Sequence, residues 1–164
     1  MTIHSGKASG KRWMPALLWL LVLAVPEVMR AAGPYQFFSV TPCRIVDTRG
    51  ATGVTGGPAL TNGSPRSFPI DVAPAACGIP NTAKAATLNV TMVSPSQDGF
   101  IKIWPFNTPA PVVSTINALA GEPAIANGAI VPLTTDPSFN LTVSYGTAAP
   151  GTCHIILDVT GYFQ

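Results

Sequence analysis

The sequence predicts an all-β protein: an antiparallel β-sandwich, jelly-roll-like, with about nine short strands after an N-terminal signal peptide. Three observations carry this expectation. From Gly33 onward no stretch repeats its apolar residues with the 3.6-residue period of a helix. The segments between Pro and Gly clusters are short and rich in β-branched and aromatic residues. Several of them alternate apolar and polar side chains with the period of two that a half-buried strand requires.

The first element is not part of the sandwich. Lys7, Lys11 and Arg12 precede the apolar run at 14–25, and Pro26, Glu27 and the small residues Ala31, Ala32 and Gly33 follow it. A charged start, a short apolar centre and a processing region make a secretory signal peptide. A membrane anchor is the competing reading, but a span needs about 18 or more apolar residues. This run is shorter and contains Pro15. Cleavage is expected near residue 24 or at 31–32; we take Gly33 as the mature start, so 1–32 is the signal and 33–164 a single domain. The first cysteine, Cys43, lies well beyond it, which excludes lipid attachment at a mature N-terminal cysteine.

Strands are expected at 35–41, 44–48, 66–72, 85–93, 100–104, 112–117, 129–133, 140–145 and 154–162. In the fourth, Leu88, Val90 and Met92 point one way and Asn89, Thr91 and Val93 the other. In the last, Ile155, Leu157 and Val159 form a core face, with His154, Asp158, Thr160 and Tyr162 opposite and Ile156 as the exception. The same alternation through the second places Cys43, Ile45, Asp47 and Arg49 against Arg44, Val46 and Thr48. In the fifth it places Phe100, Lys102 and Trp104 against Ile101 and Ile103. The break at 50–65 carries five glycines. A loop of that length in a compact domain either binds something or is loosely ordered.

Charge narrows the function classes. The chain is only 10% charged, and its net +2 belongs to the signal, because Lys7, Lys11, Arg12 and Arg30 leave with Glu27. Arg44, Arg49, Arg66, Lys84 and Lys102 are too few to make the basic stripe that binds phosphates, so no nucleic-acid partner is expected. Beyond its signal the chain has no expected membrane association. Export also sets the reading of the cysteines. Cys43 and Cys77 flank segments that both look ordered, and in an oxidising compartment a disulfide between them is the default. Cys153 is then buried and free, or displaces one of the pair, or links two chains.

Few residues offer chemistry. His154 is the only histidine after the signal, no Gly-x-Ser-x-Gly elbow is present, and the cysteine spacings match no zinc pattern. No cofactor is expected; calcium through Asp47, Asp98, Asp136 or Asp158 is the one cation weighed. Glycoside hydrolysis would need two of Asp47, Asp71, Asp98, Glu122, Asp136 and Asp158 at a fixed separation, which spacing along the chain does not select. Trp104, flanked by Phe100 and Lys102, is the candidate platform for stacking a sugar ring, against the alternative that it covers the edge of the core. Arg44, Asp47 and Arg49, with Asp158 on the last strand, are expected to form a structural clamp. In a charge-poor protein a desolvated Asp is best held by an arginine fork.

The stretches TPCRIVDTR, GGPAL, CGIP, LNVTMVSP, GFIKIWPFN and HIILDVTGYF, in this order, resemble a β-domain of secreted and surface proteins of acidobacteria and actinobacteria. The resemblance spans nearly all of 37–163. It implies an accessory β-domain, sometimes attached to cell-wall enzymes or extracellular modules, and it supports pairing of Cys43 with Cys77; Cys153 departs from its pattern. The leading expectation is a secreted, non-enzymatic surface module for adhesion or structural assembly, whose partner is another copy or a cell-surface glycan. The second is a carbohydrate-binding module using Trp104 and the 50–65 loop, and the third a small glycoside-type hydrolase.

Overall fold

The computed structural model describes Thr2, residues 33–71 and residues 77–164. Apart from Thr2, the predicted signal peptide lies outside the described residues, as does the predicted strand end at Val72. Among the described residues nine strands form: β1 (Phe37–Asp47), β2 (Leu60–Thr61), β3 (Arg66–Phe68), β4 (Ala85–Val93), β5 (Gly99–Pro105), β6 (Ile116–Ala118), β7 (Ala124–Pro132), β8 (Leu141–Thr147) and β9 (Thr152–Phe163). They build two antiparallel sheets. One runs β1-β9-β4-β7, with β2 also on β9; the other runs β3-β8-β5-β6. The protein is the all-β sandwich that the alternation predicts.

The core lies between the sheets. Leu88, Val90 and Met92 of β4 and Ile155, Leu157 and Val159 of β9 meet Ile101 and Ile103 of β5, Leu141, Val143 and Tyr145 of β8, and Phe68 of β3. Removing these apolar surfaces from water is what drives the two sheets together. Buried Asn140 ties the connections to this core: its Oδ1 accepts from the Ile70 amide at 2.7 Å and its Nδ2 donates to the Thr134 carbonyl at 3.1 Å.

Irregularities decide which side chains face water. The two strands predicted at 35–41 and 44–48 are one, β1, whose register with β9 slips between Ser39 and Cys43 and again between Arg44 and Val46. Pro42 sits in the first slip, where an edge strand tolerates a missing amide. The second inserts Ile45, so that Ile45 and Val46 are both buried and the alternation reverses. The predicted faces are therefore corrected: Asp47 leaves the side of Ile45 and joins Arg44. A third slip, opposite Thr87, turns Tyr162 from the predicted polar face to the core. Beside it, Gly161 is favoured, because a Cβ there would lie 2.8 Å from the Phe38 carbonyl oxygen.

Other bounds shift for local reasons. β7 starts at Ala124 rather than 129 and runs through Asn127-Gly128, a pair that reads as a turn. The segment predicted at 112–117 keeps only its end as β6, and Val112 is 97% exposed. Among the described residues no helix is long and apolar enough to cross a membrane. The ends of the domain are paired, Gln36 and Gln164 exchanging backbone hydrogen bonds of 2.8 and 3.0 Å.

Candidate functional site

On the outer face of the five-stranded sheet the polar residues of β1, β4 and β9 come together. Arg44 lies directly opposite Asp158, and Asp158 lies opposite Asn89. The Arg44 guanidinium grips Asp158 with two bonds, Nε to Oδ1 at 2.8 Å and NH2 to Oδ2 at 3.2 Å. Its remaining nitrogen donates to Asp47 Oδ2 at 3.4 Å. Arg49 forks Asp47 in turn, through Nε at 2.9 Å and NH2 at 2.7 Å, while its own amide donates to Oδ1 at 3.1 Å. The four predicted clamp residues thus form one relay, Asp158 to Arg44 to Asp47 to Arg49.

The relay is not the buried pair that the sequence reading assumed. The Arg44 and Arg49 side chains are 50% and 47% exposed, and those of Asp47 and Asp158 25% and 23%. Water screens such pairs, so their contribution to stability is modest. The fork from Arg49, then its backbone amide and the nearby guanidinium charges, outweigh desolvation and hold Asp47 down at about 2. The hydrogen bond to Asp158 raises the Arg44 value, and the bond to Asp47 raises that of Arg49. The sign follows from linkage: stabilisation from Asp47 is fully present above its ordinary value of 3.8 and is lost as pH falls through about 2. In a thermal unfolding series from pH 5 down to 1.5, the loss of midpoint across this window is expected to shrink in Asp47→Asn. An unchanged slope would show that the relay adds nothing.

Two hollows flank the relay. One, of about 450 Å³, is lined by Pro42, Cys43, Arg44, Asn89, Asp158 and Thr160. The other, of about 330 Å³, lies between Asp47 and the 50–56 segment. That segment is fixed in place by Arg66, a residue the sequence reading counted only as a base. Its guanidinium donates to the carbonyls of Gly56 at 2.9 Å and of Pro58, reaches those of Gly53 and Gly57, and sits 5.0 Å from the centre of the Phe68 ring. Burial pushes the Arg66 value down. Gly56 is required by this compaction, since a Cβ on it would lie 2.1 Å from the Ala51 carbonyl oxygen. The one available signal was a lone arginine opening a strand directly after a Gly-rich loop.

The remaining candidates fall elsewhere. Trp104 is 7% exposed, and the turn after β5 folds back so that the indole N–H donates to the Thr108 carbonyl at 3.1 Å. The stacking platform is thereby closed, and Trp104 is buried as the alternative reading has it. Phe100 and Lys102 stay on that side, with the ammonium 5.5 Å above the ring. His154 donates through Nδ1 to the Thr48 carbonyl at 2.9 Å, and the Thr48 hydroxyl accepts from the Ile155 amide at 2.8 Å. These bonds lock the corner where β1 ends. Asp98 accepts from the Ala120 amide in the β6–β7 connection at 2.7 Å, and Asp136 from the Ser138 amide in its own turn at 2.8 Å. Among the described residues no three His, Cys, Asp or Glu converge as metal ligands. Cys43 and Cys77 form a disulfide with Cα atoms 5.7 Å apart, a bridge compatible with an extracellular location. Cys153 is free and buried, and burial pushes its thiol up to about 12.

No family model matches this chain, and neither a curated protein nor a solved structure matches it.

Proposed function

We propose that the chain is a secreted, non-enzymatic surface module that works in adhesion or structural assembly. The observation that carries this reading is the use made of its few charges. Arg44, Arg49, Asp47 and Asp158 bind one another, and Arg66 binds loop carbonyls. A glycosidase needs one carboxyl raised so that it can donate a proton, and Asp47, held low by its arginines, is unsuited to that role. The signal peptide and the resemblance to secreted β-domains support the location.

A second reading, glycan binding, is favoured by the hollow at Arg44, Asn89, Asp158 and Thr160, which offers hydroxyl, amide and paired charges on an open face. It replaces the Trp104 platform. A glycan array and a pull-down on bacterial cell envelopes test both. Retention on envelopes without turnover supports the module, and retention lost in Asn89→Ala assigns it to the hollow. Glycan hydrolysis abolished by Asp158→Asn would refute the non-enzymatic reading.

A further inference from the structure

A sandwich must manage the edges of its sheets, because an unpaired strand offers backbone donors and acceptors to any other strand. The path ends here are β1, β3, β6 and β7. β3 and β6 are three residues each, too short to template much. β1 is interrupted by two register slips and carries Pro42, Arg44 and Asp47. β7 has none of these devices. It is nine residues, AIANGAIVP, without a charged side chain and without proline before its last position. Its register on β4 is unbroken from Ala85 opposite Pro132 to Val93 opposite Ala124.

The hydrogen bonds that bracket this ladder fix which backbone groups are left over. Leu133 donates its amide to the Lys84 carbonyl at 2.8 Å, and the Pro123 carbonyl accepts from Ser94 at 3.3 Å. Odd-numbered residues of β7 therefore turn their N–H and C=O toward β4. By the alternation of an antiparallel ladder, Ala124, Ala126, Gly128 and Ile130 turn theirs outward. All four are exposed. Beside them lies an apolar hollow of about 260 Å³ whose lining includes Pro111, Val113, Ala129 and Ile130; Val113 is 68% and Ile130 65% exposed.

We propose that β7 pairs antiparallel with β7 of a second copy, about a two-fold axis through Asn127. The structural-assembly reading above is its foundation, and this names the surface that assembles. A two-fold that keeps both core faces on one side must pair residues of equal parity. The axis at Asn127 then places Ala124 opposite the partner's Ile130 and Ala126 opposite the partner's Gly128. The four outward residues satisfy one another completely, with about eight new backbone hydrogen bonds. The bulkiest side chain falls against a small one. Pro132, which lacks an amide hydrogen and turns outward, lies just beyond the paired stretch and delimits it. A second copy fits where another strand would not be selected: the edge bears no charge with which to recognise a charged partner, and none to repel its own likeness.

Sedimentation velocity on the protein purified after export, over a wide concentration range, tests the pairing. The wild type is expected to dimerise reversibly. Ala126→Lys and Ile130→Lys, both at exposed positions, are expected to weaken the dimer at least tenfold while melting near the wild-type temperature. Asn127→Cys, which brings two thiols together across the axis, is expected to oxidise to a covalent dimer, whereas Asn89→Cys on the neighbouring strand is not. A wild type monomeric at every concentration, a dimer indifferent to both lysines, or an Asn127→Cys protein that fails to cross-link would each overturn the proposal. Envelope binding by the same samples keeps the two readings apart. A monomer that still binds removes only the β7 pairing, and a dimer that binds nothing removes only adhesion.

Discussion

Trp104→Ala is expected to lower stability by about 3 kcal/mol, the low end of the range for truncating a buried tryptophan. The side chain is 7% exposed and its N–H is bonded to Thr108, so truncation opens a cavity and frees the turn that covers it. For a domain of this size the thermal midpoint should fall on the order of 10 °C. Asp47→Ala and Arg49→Ala should fall less, because both side chains remain in contact with water. This order reverses the one implied by a buried clamp beside an exposed aromatic platform. Calorimetry on the three variants decides it; charge variants melting below Trp104→Ala would restore the earlier picture.

Opening the Cys43–Cys77 bridge should have an effect of similar size. The two cysteines are 34 residues apart, and closing a loop of that length stabilises by roughly 3 to 4 kcal/mol through the entropy it removes from the unfolded chain. Cys43→Ser with Cys77→Ser, or reduction of the wild type, should lower the midpoint on the order of 10 °C. Cys153 offers no substitute partner while the fold persists, since its buried thiol rarely ionises. Non-reducing peptide maps of the native protein should recover the 43–77 linkage alone. A main species joining Cys77 to Cys153, or a reduced protein melting like the oxidised one, would contradict the assignment.

What was legible in the sequence depended on regularity. The bounds of β4 were read to the residue, since it is paired on both sides and alternates without interruption. Arg44 and Asp158 could be matched because Asp158 is the lone carboxylate on the last strand in a chain with few charges. The slips at Ile45 and Thr160 could not be read. An inserted residue leaves no mark on composition, yet it moves every later side chain to the other face. β7 was half missed for a related reason: an edge strand of alanine and glycine buries little, so it lacks the alternation that announces a strand. Trp104 shares its strand face with Lys102 as expected, but its cover comes from a turn whose path strand periodicity does not encode.

The place of β9 in its sheet has a kinetic consequence. The twelve residues Thr152–Phe163 form the strand on which β1, β2 and β4 all pair, and β1 has no other neighbour in the sheet path. During synthesis β1 precedes the other eight described strands and must wait until Thr152–Phe163 has emerged before its partner exists. Such far-separated pairings bear a large loop-closure entropy, and they place the domain among slow folders of high contact order. Until the stretch from Thr152 to Phe163 arrives, the five-stranded sheet has no centre around which to condense. A nascent chain ending before Thr152 would be left as loose hairpins rather than as a slightly smaller sandwich.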